Sequence, residues 1–468
     1  MKTLFPNQRR SVDFLKQVLH ANRGALDGSL TGTGKTVVAA HLAREIGFPV
    51  IVVCPKIVIP QWQAELKDAG VANVLLVTNY EKLRRGNQFI TPEIPLCKNG
   101  KPSKRGPVAF TWTLPPDTLV IWDEAHRLMS PTSQTSLMLI AAKRAGFMNL
   151  MLSATACQDP TEMRAIGFVL GLHGLNSTSR DKLGWIGWMK GYGCRKDHWH
   201  KWVSGPKERL VDLNRRMYGV VATKLTPKDL PNAFSENHII TTPLAFSALD
   251  EINRFYMSGG VTPAIVDMML AQRDEEYERK RLAAEAKARG EAVEDFEEEL
   301  MIVKMLRARQ LAEAAKVPDI IEMVNDALAE GYSVVVFVNF TDTVHSLKSF
   351  FGADAAVVVG GQSSTFREIN VQDFQTNRKR LIICNTAAGG VGVSLHDTDG
   401  NYPRMSFISP TFNSKEYTQT LGRIHRVGAK SPATQRILVA SGTIEEYVLT
   451  RMEEKRNCLD TLHQQQQP

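Results

Sequence analysis

The chain has 468 residues, of which 43% are hydrophobic and 23% charged, the balance of a globular protein with room for two or three cores. No apolar run reaches the roughly 18 residues that a membrane span needs, and the start, Met1-Lys2-Thr3-Leu4-Phe5-Pro6, lacks a signal-peptide core. The net charge of +8 admits a polyanionic partner such as nucleic acid, and six scattered cysteines fit a reducing compartment, the cytoplasm.

An amphipathic helix is predicted from about Arg9 to Asn22, preceded by Gln8, whose amide can read an adenine edge through its donor and acceptor. An apolar patch, Gly24-Ala25-Leu26, then leads into Ser29-Leu30-Thr31-Gly32-Thr33-Gly34-Lys35-Thr36 and a helical run from Val37 to Ile46. Strand, glycine-rich loop and helix are the setting of a phosphate-binding loop, in which backbone N–H groups point at phosphate oxygens. The binding residues are Thr31, Gly32, Thr33, Gly34, Lys35 and Thr36. Lys35 reaches the β- and γ-phosphates and the Thr36 hydroxyl takes Mg²⁺. Ser29 stands where the full pattern has glycine.

A strand over Val50–Cys54 ends in Pro55-Lys56, and Gln61-Trp62 lie on the next helix. Another strand, Val74–Val77, ends in Thr78-Asn79-Tyr80, polar residues of the kind found on the ligand edge of a parallel sheet. Residues 91–107 form a polar excursion with Lys98, Lys101, Lys104 and Arg105, read as a solvated hairpin tip or a nucleic-acid contact. The buried strand Thr118–Trp122 delivers Asp123-Glu124-Ala125-His126. Asp123 suits a Mg²⁺ ion, and Glu124 suits polarising the attacking water. Leu150-Met151-Leu152 then delivers Ser153-Ala154-Thr155.

Between residues 157 and 330 the sequence is less informative. Trp185, Trp188, Trp199 and Trp202 are interleaved with Lys190, Arg195, Lys196 and Lys201. They read as the core of a small helical insertion, or as a stacking surface for bases. Cys194, His198 and His200 lack a fourth partner for zinc. Leu225–Pro231 marks a linker boundary, residues 272–300 read as a long solvated helix dense in both charges, and Arg307, Arg309 and Gln310 fall on the helix after it. A helix from Asp319 to Glu330 stops at Gly331.

A second α/β unit opens with the strand Val334–Val338, followed by Asn339-Phe340 and a helix capped near Thr341 or Asp342. Strands follow at Ala356–Val359, Leu381–Cys384 and Met405–Ile408. The third of these four delivers the glycine-rich run Asn385–Gly392. A helix carries Gln419-Thr420-Leu421-Gly422-Arg423-Ile424-His425-Arg426, and two guanidiniums three residues apart share a helix face or end and suit arginine fingers.

A phosphate loop, an acidic box, a Ser-Ala-Thr box and an arginine motif in this order resemble the DEAH-box side of the superfamily 2 helicases and translocases. Gln419–Gly428 with Gly442-Thr443-Ile444-Glu445-Glu446 is similar to the SWI/SNF-type ATPase branch, in a compact form like phage or bacterial members. The resemblance implies an α/β fold of two RecA-like lobes with parallel sheets, plus a mostly helical insertion and linker. It divides the chain into a first lobe at 1–156, a Trp-rich insertion and lobe end at 157–235, a helical linker at 236–316, a second lobe at 317–460 and a disordered tail at 461–468. It implies ATP and Mg²⁺ between the lobes, with Lys35, Asp123, Glu124, Gln419, Arg423 and Arg426 as the catalytic set. Coupling falls to His126, Ser153 and Thr155, and nucleic-acid contacts to Pro55, Lys56, Thr78, Asn79, Asn339, Thr386 and Gly389. The expected activity is ATP-driven movement along DNA, duplex favoured and single strands possible, with RNA less expected and no membrane. The alternatives left open are a strand-separating helicase, a non-catalytic nucleic-acid clamp, and an NTPase acting on other substrates.

Overall fold

The computed structural model describes residues 2–95, 106–154, 159–175, 181, 183–196, 202–230, 233–245, 296–386, 393–411, 413–443 and 445–450. Thr155, Gly389, Trp199, His198, His200, the tip at 96–105, most of the charged stretch 272–300 and the tail 461–468 lie outside them. The chain divides into two compact units, residues 1–234 and 235–460.

In the first unit, α1 (Pro6–Asn22) packs on α2 (Lys35–Ile46), and α3 (Ile59–Ala69) packs on α2 from the other side. These three helices cover one face of a six-stranded sheet of β1 (Gly24–Asp27), β2 (Val50–Cys54), β3 (Val74–Asn79), β6 (Leu119–Asp123), β7 (Met148–Leu152) and β10 (Ala222–Thr223). Its order is β10-β1-β7-β6-β2-β3 and every pairing is parallel. β1, β2 and β7 are buried along their whole length, as strands covered by helices on both faces must be. Two apolar cores result, one under α1–α3, the other under α4 (Tyr80–Arg84), α5 (Gln134–Arg144) and α6 (Arg164–Val169). The polar excursion is an antiparallel hairpin of β4 (Ile90–Glu93) and β5 (Ala109–Trp112).

The segment after β7 is only partly helical. It holds α6, α7 (Trp185–Gly191), a two-residue hairpin of β8 (Arg195–Lys196) and β9 (Trp202–Val203), α8 (Lys207–Met217) and then β10, which returns to the edge of the sheet. Two tryptophans serve as packing. Trp188 lies against His173 and Tyr192, with ring centroids 4.7 and 4.9 Å away, and Arg164 sits over Trp185. Trp202 instead pairs with the exposed Lys196.

The second unit has its own parallel sheet, ordered β11-β16-β15-β12-β14-β13. The strands are β11 (Asn237–Leu244), β12 (Ser333–Val338), β13 (Ala355–Val358), β14 (Leu381–Asn385), β15 (Arg404–Ile408) and β16 (Ala433–Ala440). Its helices are α9 (Phe296–Ala315), α10 (Val317–Ala329), α11 (Thr341–Phe351), α12 (Ser364–Gln375) and α13 (Ser414–Leu421).

Three expectations shift. Residues 236–316 were expected as a helical linker, but β11 is an edge strand paired with β16 along eight residues. Its residues are mostly exposed, Ile239 and Ile240 included, so it lacks the alternation of a half-buried strand, and Pro243 further hides the pattern in sequence. The cap of α11 is Phe340 rather than Thr341 or Asp342. The arginine motif leaves its helix early: α13 stops at Leu421, and a tighter bond from Arg423 N–H to Thr420 O starts the turn that carries Arg423 and Arg426.

Candidate nucleotide and nucleic-acid site

The phosphate loop sits between β1 and α2. Gly32 and Gly34 have φ of 82° and 89°, a left-handed backbone that glycine adopts without a Cβ penalty. A Cβ on Gly34 would lie 2.6 Å from Gln8 Nε2. Gly34 is the cap of α2 and offers no side chain to its first-turn N–H groups, so the helix start is a ready anion site. Lys35 Nζ donates to Ser29 O at 2.7 Å and Leu30 O at 3.0 Å, which folds the ammonium over the loop.

Gln8 is 3% exposed. Its Nε2 donates to Thr33 O at 2.8 Å and its Oε1 accepts from Phe5 N at 3.0 Å. The amide expected to read adenine therefore already braces the loop. Ser29 explains its own departure from glycine: its hydroxyl accepts from Leu225 N at 2.9 Å, beside a second bond from Leu30 N to Leu225 O.

The acidic box stands level with this loop. Asp27 and Asp123 both pair in register with Leu152, so two strand spacings, about 10 Å, separate the ends of β1 and β6. Ser153 N donates to Asp27 O at 3.1 Å. Carboxyl ends of parallel strands are where such sheets bind ligands. Asp123 Oδ2 accepts from the Trp62 indole at 2.8 Å, and Tyr80 OH donates to its carbonyl at 2.7 Å. Burial, and then the neighbouring Glu124 charge, raise the Asp123 carboxyl to about 6. A buried acid with a nearby acid gains from a divalent cation. Glu124 has φ 56° and ψ 52°, a strained conformation for a residue with a Cβ and common at functional turns. His126 Nδ1 lies 3.2 Å from Glu124 Oε2.

Sequence reasoning missed Asp27 and Trp62 as parts of this site. Asp27 is 1% exposed, accepts from Ser29 N at 2.9 Å, and burial raises its carboxyl above the usual range while Lys35 opposes that rise. An acid ending an apolar strand was its only signal.

In the second unit, Gln419 and Arg423 are buried. Arg423 Nη1 donates to Val393 O at 3.1 Å, while Leu395 N donates back to Arg423 O at 3.0 Å. Arg426 donates through Nε to Gly422 O at 3.0 Å and through Nη1 to Ser394 Oγ. The arginine turn is thus fastened to the segment that follows the glycine-rich run.

The residues expected to touch nucleic acid divide by chemistry. Lys56 is exposed beside buried Pro55. Asn79 Oδ1 caps α4 by accepting from Lys82 N, and Thr78 is 2% exposed. Asn339 Nδ2 donates to Glu313 Oε2 at 2.8 Å and Pro410 O at 2.9 Å. Thr386 Oγ1 donates to Val338 O at 3.1 Å. In this arrangement neither Asn339 nor Thr386 presents a side-chain hydrogen to a phosphate, because those hydrogens point inward.

Two family models match in the expected order. The type III restriction enzyme res subunit matches residues 1–158, and the helicase conserved C-terminal domain matches residues 315–428. A protein of Acanthamoeba polyphaga mimivirus, provisionally named an ATP-dependent RNA helicase, is 28% identical over 97% of this chain and 82% of its own length. The uncharacterised ATP-dependent helicase YqhH of Bacillus subtilis is 22% identical over 94% and 76%. The chromatin-remodelling ATPase INO80 of Cryptococcus neoformans is 27% identical over 33% of this chain and 9% of its own. With a phosphate loop and acidic box on one parallel sheet, an arginine turn on a second, and both halves matched, the chain belongs to the superfamily 2 helicases and is an ATP-dependent enzyme of the helicase type.

Proposed function

We propose that the enzyme is an ATP-driven translocase on DNA, preferring the duplex. The observation that carries the ATPase part is the level placement of the phosphate loop and Asp123-Glu124 at the carboxyl edge of one sheet. Lys35 and the N–H groups of the loop hold the phosphates, and Glu124 orients and polarises the attacking water. Mg²⁺ held by Thr36 and Asp123 would offset charge on the β- and γ-phosphates. Arg423 and Arg426 act on the transferring γ-phosphoryl group, so turnover needs both units.

The preference for DNA draws on the likeness of a third of the chain to the chromatin-remodelling ATPase INO80, and the net charge of +8 favours any nucleic acid. The name of the mimivirus relative favours a second reading, an RNA helicase. The described cysteines Cys54, Cys194 and Cys384 are unpaired, in keeping with work in a bacterial or phage-infected cytoplasm. No described helix is long and apolar enough to cross a membrane. The test is ATP-dependent displacement of a third strand from a DNA triplex, run beside unwinding of DNA and RNA duplexes. Triplex displacement without unwinding fits the translocase. RNA unwinding without triplex displacement replaces it with the RNA helicase.

A further inference from the structure

Glu313, on α9, is 0% exposed. A carboxylate so placed is costly unless its oxygens are filled with donors. Here they are filled from one short segment. Oε1 accepts from Asn339 N at 2.9 Å and Phe340 N at 2.9 Å, and Oε2 accepts from Asn339 N at 2.8 Å and Asn339 Nδ2 at 2.8 Å. One turn earlier on the same helix, Arg309 lies over the Phe340 ring at 5.5 Å. Two residues four apart share a helix face, so α9 grips the 339–340 turn twice.

The grip extends to the other strand ends. Asn339 donates to Pro410 O beyond β15 and accepts, through its carbonyl, from Asn385 Nδ2 at the end of β14. Thr386, next in sequence, bonds back to Val338 O. Three neighbouring strands, β15, β12 and β14, are therefore tied at their carboxyl ends through one asparagine, and that asparagine is held by Glu313.

We infer that Glu313 is a positioning residue for the nucleic-acid-binding edge of the second unit, with Asn339 as its intermediary rather than a phosphate ligand. The inference rests on the reading of that edge as a nucleic-acid surface. Glu313 never meets the polymer; it fixes the backbone of the turn and of the strand ends that do. A carboxylate is required because three donor groups converge on two oxygens. In Glu313→Gln one of those oxygens becomes an NH₂ group, and at least one donor then faces another donor.

The experiment measures ATPase rate against duplex DNA concentration for wild type, Glu313→Gln, Asn339→Ala and the double variant, with circular dichroism melts of each. Glu313→Gln is expected to raise the DNA concentration for half-maximal stimulation about tenfold, with KM for ATP unchanged, since the site near Lys35 is untouched. The double variant is expected to be no weaker than Glu313→Gln, because both changes break one link. A wild-type half-point in Glu313→Gln overturns the inference, as does a double variant whose losses multiply. Should Glu313→Gln fail to fold, Asn339→Ala decides alone: a wild-type DNA half-point in Asn339→Ala overturns the inference, and a raised half-point with KM for ATP unchanged upholds it. A wild type that neither DNA nor RNA stimulates defeats the function proposed above, whereas a stimulated wild type with an indifferent Glu313→Gln defeats this inference only.

Discussion

Lys316 and Glu445 make a buried ion pair whose removal has a calculable cost. The Lys316 side chain is fully buried and that of Glu445 is 4% exposed. Lys316 Nζ donates to Glu445 Oε1 at 2.8 Å, Glu445 Oε2 at 2.9 Å and Leu438 O at 3.1 Å. Glu445 Oε2 also accepts from Ala440 N. The pair joins the start of α10 to the turn after β16. Replacing Lys316 with Met keeps the volume but leaves a buried carboxylate without its cation, a loss of about 3–5 kcal/mol. For a unit of this size each kcal/mol lowers the melting point by about 2–4 °C, so the second unit should melt about 6–20 °C earlier. Adding Glu445→Gln removes the orphaned charge and should restore most of the loss. All seven tryptophans (62, 112, 122, 185, 188, 199 and 202) lie in the first unit. Tryptophan emission therefore reports unit one, and far-ultraviolet circular dichroism reports both. The expected result is an early dichroism transition with the emission transition in place. A shift below about 2 °C in Lys316→Met would refute the claim that this carboxylate is dry and dependent on Lys316.

Lys35→Ala should lower ATP turnover at least about a hundredfold, as loss of a charge-stabilising donor does, while DNA affinity in a filter or anisotropy assay holds; an active Lys35→Ala removes the nucleotide site assigned here. Arg426→Ala should keep ATP binding and lose about a thousandfold or more in turnover, the range of arginine fingers; unchanged turnover rejects the role given to the second unit. His396 is held neutral, its imidazole lowered to about 4 by burial and by the charges of Arg426 and Arg404, with Asp397 opposing. Because the unfolded imidazole binds a proton from pH 6.5 downward and the folded one resists until about 4, stability falls as pH drops through that window, by at most about 3 kcal/mol. His396→Gln should flatten this acid-side slope in denaturant titrations at pH 7.5 and 4.5. An identical slope in both proteins would show that His396 does not carry it.

The parts legible in sequence are those set by local rules. The phosphate loop is visible because two glycines must take a left-handed backbone before a helix. The acidic box is visible because apolar Leu119–Trp122 can only be a buried strand that ends in Asp123. What sequence hides is long-range. Glu313 and Lys316 sit in or beside a helix rich in exposed-looking charges, and nothing local marks them as buried. Asn339 looks like a free polar group at a strand end, yet its hydrogens are spent on residues 26 positions upstream and 71 downstream. Trp185 and Trp188 satisfy a stacking pattern and a packing pattern alike, and only contacts with Arg164, His173 and Tyr192 separate the two.

The central claim is that this ATPase is driven by a nucleic acid, DNA duplex above others. Steady-state ATP hydrolysis with no polymer, single-stranded DNA, duplex DNA and RNA, at about 50 and about 200 mM salt, tests it most directly. The account predicts the strongest stimulation with duplex DNA, weakening at the higher salt. Equal rates with and without every polymer would contradict it.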